Sequence, residues 1–375
     1  MPAVYIVSDN IYSPIGSTTA ENFERVKQGV SGIKQHHNTD LADEPFYASL
    51  FEHQHSINHK HLKYSKFERL LIASVNEALK DSNVDFTGEN TLLIVSSTKG
   101  NISLLETSPE AVELNNRVAM YTSAKLVAGH FGFVNQPVVV SNACISGIMA
   151  ILTGMRLIQS GQYANAVIVG ADVITKFVLS GFQSFQAISP EPCKPFDINR
   201  AGITLGEGAA TIVLSSNAKY TSGIKVLGGA VSNDANHISA PSRTGKELCE
   251  AIDRAIATSG LTIGDIDLIS AHGTATSYND EMEAKAIALA GLDKAPVNSL
   301  KGYYGHTLGA AGLIESIISV QSLKQNMILP TLGFETIGVS NPINVCTELM
   351  PASLQTCLKT ASGFGGCNGA IVFSK

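Results

Sequence analysis

The sequence predicts an α/β fold made of two similar halves, and three observations carry that expectation. Short β-branched runs alternate with longer helical patterns along the whole chain, as buried strands joined by helical crossovers require. Charged residues are only 15% and hydrophobic residues 44% of the 375, whereas an average soluble protein carries about 25% charge. Such a chain can bury a large core and has too little charge for a disordered or coiled-coil protein. Finally, Gly206-Glu-Gly-Ala-Ala-Thr-Ile-Val-Leu-Ser lies over Gly365-Gly-Cys-Asn-Gly-Ala-Ile-Val-Phe-Ser, and Ala143-Cys-Ile-Ser-Gly over Gly305-His-Thr-Leu-Gly, both offset by about 160 residues.

The elements follow in chain order. The run Val4–Val7 reads as a strand, and Ala20–Gly29 and Tyr64–Lys80 as helices. Leu92–Val95, an uninterrupted apolar run, is a strand, Val118–Gly129 a helix, and Val138–Val140 a strand that turns into a helix over Gly147–Ser160. Ala166–Val169 and Ala210–Leu214 are strands, Gly245–Ser259 a helix, and Ile266–Ile269 a strand. Helices over Asp280–Ala290 and Gly309–Gln325 and a strand over Ala370–Phe373 complete the pattern. The apolar stretch Val138–Ile158 approaches the length of a membrane span, but Ser141, Asn142, Ser146 and Thr153 interrupt it, and a buried strand followed by a buried helix fits better. The start has no basic region ahead of an apolar one, so a secretory signal is not expected. The six cysteines show no CxxC pairing, which reads as reduced thiols and a cytoplasmic setting. A net charge of −6 argues against nucleic-acid binding. The 33 glycines exceed the usual share and imply close backbone approaches.

Three segments can carry chemistry. Cys144 stands where a strand runs through a short turn into a helix, so the helix N-terminus favours its thiolate; the alternative is a buried structural thiol. The segment Ile266 to Glu283 delivers His272 to a glycine turn, followed by Thr274 and Thr276 and by Asp280 and Glu283 at a helix start. A neutral imidazole there can hydrogen-bond a reacting oxygen, while the two acids can equally be ordinary first-turn residues. The third segment opens a Gly/Ala-rich helix at His306, with Lys301 upstream and Glu315 further along the helix, a set that can hold an imidazole neutral. Together Cys, His and His at three such junctions suit thiol acyl chemistry.

With these residues the sequence resembles the β-ketoacyl-acyl carrier protein synthases of the elongating type I/II class. The likeness runs nearly end to end through Ser31-Gly32-Ile33, Ala143-Cys144, Pro195-Phe196-Asp197 with Arg200, Gly206-Glu207-Gly208, His272-Gly-Thr-Ala-Thr, Lys301…Gly305-His306 and Gly363-Phe364-Gly365-Gly366-Cys-Asn368-Gly369. The resemblance implies a thiolase-like fold of two βαβαβ halves in five α-β-α-β-α layers, with halves over residues 1–216 and 217–375 and a cap segment near 31–70. It implies that Cys144 carries the acyl chain as a thioester, with the amides of Cys144 and Phe364 as oxyanion hole and Phe364 as gate. His272 and His306 would hold the malonyl thioester oxygen during decarboxylation, with Lys301 and Glu315 supporting His306. Asp280 and Glu283 belong to the supporting network, and Thr274 and Thr276 to phosphopantetheine binding. No cofactor or metal is implied, because the pantetheine arm arrives on an acyl carrier protein. A homodimer is implied, with a heterodimer including a chain-length-factor-like subunit as the variant form.

Some positions depart from the family pattern: the family often has Phe two residues before the Gly-Phe gate pair, whereas here Ser362 takes the position next to Gly363; Cys367 replaces Thr, and Ala201-Gly202-Ile203 replaces Asp-Gly-Phe. They motivate a specialised lipid of polyene or polyketide type as an alternative to housekeeping fatty-acid synthesis. Six histidines between His36 and His61 lack the spacing of a closed metal site and read as a solvated segment. Lys60, Lys63, Lys66 and Arg69 form a basic stretch that, on the resemblance, docks the acidic carrier protein. The rival readings are a non-catalytic partner subunit and a thiolase-like acyltransferase on coenzyme A esters.

Overall fold

The computed structural model describes residues 2–52, 63–107, 114–235 and 241–375. The N-terminal part runs β1 (Val4–Tyr12), α1 (Thr19–Lys27), β2 (Ile33–His36), β3 (Phe46–Ser49), α2 (Lys66–Lys80), β4 (Thr91–Ser96), α3 (Leu104–Thr107) and α4 (Leu114–Val118). It continues through α5 (Met120–Phe131), β5 (Val138–Val140), α6 (Ser146–Gln159), β6 (Asn165–Asp172), α7 (Lys176–Ser184), β7 (Leu205–Gly206) and β8 (Gly208–Ser215). Then follow β9 (Ile224–Asn233), α8 (Lys246–Thr258), β10 (Leu268–Ser270), α9 (Ser277–Leu289), β11 (Pro296–Asn298), α10 (Lys301–Tyr304) and α11 (Ala311–Gln325). The short β12 (Met327–Ile328), β13 (Asn344–Val345) and β14 (Met350–Pro351) precede β15 (Thr356–Gly363) and β16 (Cys367–Ser374).

The two halves repeat one another strand for strand. In the order β1-β8-β6-β4-β5, the pairings are antiparallel, antiparallel, parallel, parallel. The order β9-β16-β15-β10-β11 repeats that sequence of directions, with β13 added at the edge. The aligned glycine-rich segments of the sequence are β8 and β16, and the helices after Cys144 and His306 are α6 and α11. The arrays are not wholly separate: β1 pairs with β9 over Val4–Ile6, so hydrogen bonding runs unbroken through 11 strands.

Five layers result from which faces are apolar. Successive strand residues point to opposite faces, so in β4 Leu92 and Ile94 join the central core while Leu93 and Val95 join an outer one. In β15 and β16 Cys357, Ile371 and Phe373 face the centre, and Leu358, Ala370 and Val372 face outward. Helices α2 and α5 cover the first array, α8 and α9 the second, and α6 and α11 lie between them, touching strands of both. Helix α2 opens on the reciprocal capping box Ser65/Glu68, and Glu68 is buried against Arg117 at 2.8 Å.

The central helices pass backbone to backbone. A Cβ on Gly147 of α6 meets the Leu313 amide nitrogen at 2.6 Å, and one on Gly312 of α11 meets that of Ile148 at 2.7 Å. Strands β9 and β15 were absent from the sequence expectation: Gly228-Gly229 reads as a break, and Lys359 and Thr360 interrupt the apolar run of β15, yet both residues are fully buried. His306 also corrects an expectation. It does not open the helix but stands in a loop, with a 3-10 turn over Leu308–Ala310 leading into α11.

Gly147→Ala is expected to lower stability by about 1–3 kcal/mol through overpacking of backbone against backbone. Urea denaturation checks this, and an unchanged midpoint would show that the helices can separate freely.

Candidate active site

The end of β5 turns sharply into α6, and Cys144 sits in that turn. Ala143 adopts φ 45°, the left-handed region that side chains with Cβ resist. The turn is held by Ser146, whose hydroxyl accepts the Asn142 amide at 2.8 Å and donates to the Ala143 carbonyl at 2.6 Å. Across from it, a Cβ on Gly363 stands 2.9 Å from the Cys144 nitrogen, so only glycine lets β15 approach this closely. The Phe364 amide then faces the Cys144 sulfur closely enough to favour its thiolate.

Two imidazoles complete the centre. One ligating atom each from Cys144, His272 and His306 lie within 4.8 Å of one another, all three residues being buried. The rings of His272 and His306 stand edge to face, 5.1 Å apart. The Leu308 amide donates to His306 Nδ1 at 3.1 Å, so the ring proton of the neutral imidazole lies on Nε2. Lys301 Nζ lies 3.5 Å from His272 Nδ1, and since an ammonium only donates, His272 takes the same tautomer. Burial pushes both imidazoles well below 6.5, and the Lys301 ammonium adds to it in each. Burial also pushes the Cys144 thiol up to about 12, despite the Lys301 charge and the Phe364 amide. Where the sequence favours a thiolate at the helix N-terminus, burial in the resting site favours the thiol.

Lys301 acts on His306 through its charge, in line with the sequence expectation, and is itself in contact with His272 Nδ1 and the Glu315 carboxylate. Asp280 and Glu283 are not ordinary first-turn acids, since both are fully buried. Asp280 accepts the amides of Phe196 (2.7 Å) and Thr274 (2.9 Å), and burial raises its pKa to about 6. Glu283 accepts the amides of His272 (2.7 Å) and Gly273 (2.8 Å) and the Thr360 hydroxyl (2.7 Å). Thr274 and Thr276 bond each other at 2.9 Å, and Thr276 caps α9.

These groups open onto a cavity of about 370 Å³ that is lined by Cys144, both histidines, both threonines and Phe364. Phe364 is 37% exposed and lies against Phe182 of α7 (5.6 Å, stacked) and Phe185 just beyond it (5.5 Å, edge on). Ser362 bonds Asn368 at 2.7 Å, and the Cys367 thiol lies 3.5 Å from the Phe364 carbonyl. Ala201, Gly202 and Ile203 also line the cavity, so all the departures noted in the sequence surround it or its gate.

Sequence reasoning missed Asp172, Lys359 and the two phenylalanines. The buried Asp172 accepts the Ser97 and Thr98 hydroxyls and the amides of Thr98, Lys99 and Gly309, tying the loop beside His306 to β6. In the basic stretch Lys63 and Lys66 are exposed, the Lys66 ammonium pairs with buried Glu207 at 2.6 Å, and Arg69 donates to the Tyr64 carbonyl at 3.0 Å. Lys60 and the four histidines from His53 to His61 lie outside the described residues.

The Beta-ketoacyl synthase N-terminal domain profile matches residues 1–219, and the C-terminal domain profile matches residues 224–335. The chain belongs to the β-ketoacyl synthase family. It is an acyltransferase of the condensing type. The synthase is 30% identical to 3-oxoacyl-[acyl-carrier-protein] synthase 2 of Vibrio cholerae, the match covering 99% of each chain. It is 28% identical to the chloroplastic 3-oxoacyl-[acyl-carrier-protein] synthase II of Arabidopsis thaliana, over 99% of this chain and 75% of that one. Among solved structures it superposes on the ishigamide ketosynthase/chain length factor with a TM-score of 0.90 and 26% identity, covering 100% of this chain and 99% of that one. A ketosynthase in complex with its chain length factor from Xenorhabdus doucetiae shares the fold (TM-score 0.87, 24% identity, 100% and 98% covered). Among the described residues of the synthase no helix is long and apolar enough to cross a membrane.

At pH 6, where exposed imidazoles are largely protonated, His272 and His306 are expected to remain neutral in 15N imidazole spectra. Their folded pKa values lie below the unfolded 6.5, so the stability they contribute is complete above that pH and is lost as pH falls. Imidazolium signals for either residue at pH 6 would contradict this electrostatic account.

Proposed function

We propose that this chain condenses malonyl-carrier protein with an acyl chain held on Cys144, releasing carbon dioxide, and that the convergence of Cys144, His272 and His306 is the observation that carries the reading. In the first half-reaction the Cys144 sulfur attacks the acyl thioester on the carrier. The oxygen that becomes negative lies toward the amides of Cys144 and Phe364, and the pantetheine thiol leaves with the proton. In the second, malonyl-carrier protein enters past Phe364, and Thr274 and Thr276 bind its pantetheine arm. His272 and His306 point Nε2–H donors at the malonyl thioester oxygen. When the C–CO2 bond breaks, its electron pair passes to the α-carbon, and the enolate oxygen is held by these donors. The α-carbon attacks the Cys144 thioester, the new C–C bond forms, the C–S bond breaks, and the cysteine recovers a proton. The donors must be neutral imidazoles carrying Nε2–H, which agrees with their burial and with the Lys301 charge. No cofactor takes part in this scheme.

The partners follow from the same reading: an acyl carrier protein, met in part through exposed Lys63, and a second subunit, identical or related. The altered residues around the gate and cavity support a specialised acyl chain of polyene or polyketide type.

Carbon dioxide release from malonyl-carrier protein and acyl-enzyme mass spectrometry test the reading together. Cys144→Ala is expected to abolish the acyl-enzyme, and His306→Asn to slow carbon dioxide release by roughly 10²–10³-fold. Release absent from the wild type with malonyl-carrier protein, alongside turnover of coenzyme A esters, would favour the acyltransferase alternative. Carrier-bound saturated chains used as well as polyunsaturated ones would count against the specialised substrate. For docking, Lys63→Glu is expected to raise KM for carrier-bound substrates roughly two- to five-fold, with stability unchanged. Lys66→Glu instead lowers stability by roughly 1–3 kcal/mol because Glu207 loses its counter-ion. An unchanged KM in Lys63→Glu removes Lys63 from the docking surface.

A further inference from the structure

Lys359 stands in the middle of β15 with its side chain fully buried. Its ammonium lies 2.6 Å from Glu315 Oε2 and donates to the backbone carbonyls of Ser270 and Ala271, each at 3.1 Å. The two carbonyls accept its hydrogens and the carboxylate pairs with its charge, which opposes the lowering of its pKa by burial. The other carboxylate oxygen of Glu315 is held by Lys301, which in turn faces His272 Nδ1. One carboxylate from α11 is thus shared by two buried ammonium groups, one from α10 and one from β15.

Both arms of this arrangement end at the same residue. Ser270 and Ala271 are the two residues that precede His272 at the end of β10, so Lys359 fixes the backbone from which the imidazole projects. Through Glu315 it also fixes the ammonium that faces the ring. From the opposite side, Glu283 of α9 accepts the His272 amide, and its Thr360 partner is the neighbour of Lys359 in β15. With the buried Glu283 carboxylate on the His272 amide, the two ammonium groups face two carboxylates, and the Lys359 charge adds to that of Lys301 in keeping the His272 ring neutral.

We propose that Lys359 is a positioning residue for His272: it clamps the Ser270–Ala271 carbonyls and shares Glu315 with Lys301, so that the malonyl thioester oxygen meets an imidazole that is fixed in place and neutral. This rests on the decarboxylative condensation proposed above, and it goes further by assigning a role to a second buried lysine. It predicts a division between the half-reactions, because acyl loading depends on Cys144 and the Phe364 amide, whereas decarboxylation depends on His272.

The test uses the full-length chain with Lys359→Gln. Acyl loading of Cys144, read by mass spectrometry, is expected to stay within about three-fold of wild type, while carbon dioxide release from malonyl-carrier protein falls on the order of 10²-fold, as for a misplaced reacting group. The loss is expected in kcat rather than KM. In 15N imidazole spectra, assigned with His272→Gln, loss of the nearby cation is expected to raise the His272 titration. Unchanged carbon dioxide release overturns the proposal, as does an equal loss of both half-reactions with the His272 titration unmoved. If Lys359→Gln does not fold, Lys359→Met, which keeps the unbranched stem, takes its place; if both unfold at 25 °C, the role is structural and the proposal falls. A wild type that releases no carbon dioxide would refute the condensation reading instead, and the His272 titration would still report whether Lys359 acts on that ring.

Discussion

How closely α6 and α11 pass one another sets the geometry of the whole site. Cys144 stands just before one helix and His306 just before the other, so the distance between nucleophile and imidazole is fixed by the crossing of the helices behind them. Gly147 and Gly312 make the approach possible, because a side chain on either would strike the other helix's backbone. The same economy recurs at Gly363, where β15 brings the Phe364 amide to the sulfur. The chemistry is therefore set by backbone proximity first and by side-chain identity second.

The charges follow a consistent pattern. The three groups that meet at the cavity are kept neutral by burial: the Cys144 thiol is pushed up and the two imidazoles are pushed down. The groups behind them form closed sets, with Asp280 and Glu283 occupied by backbone amides and Glu315 occupied by two ammonium groups. Donors that carry no full charge leave the resting cavity without a strong ion to desolvate, while the ammonium groups of Lys301 and Lys359 behind them help keep the imidazoles neutral.

Much of this was legible from residue types and their spacing. The strands that read as uninterrupted apolar runs, such as Leu92–Val95 and Ala166–Val169, are buried on both faces, and the repeat pointed to β8 and β16. The residues that converge at the cavity were also identified, because strand–turn–helix junctions rich in glycine are visible locally. What escaped depends on contacts between distant segments. Lys359 looks like a surface lysine because its partner Glu315 lies on α11 and its acceptor carbonyls on β10. The pairing of exposed Lys66 with Glu207 escaped for the same reason, since Glu207 comes from the far end of the first half. Phe182 and Phe185 gave no signal because their partner is the loop after β15. The resting state of Cys144 was not legible because the helix dipole is readable from sequence, whereas burial is a property of the assembled fold.

The pairing of β1 has a consequence for how the chain reaches this state. Its partners are β8 and β9, some two hundred residues downstream, and β16 must insert between β9 and β15 before the second array closes. During synthesis at a ribosome the first strand therefore stays without its neighbours while most of the chain is made, and β9 and β15 wait for residues near 370. Such non-local pairing slows folding and leaves apolar strand edges exposed in the interval. Chaperone dependence and a slow, late acquisition of activity relative to secondary structure are the kinetic signature that this strand order imposes.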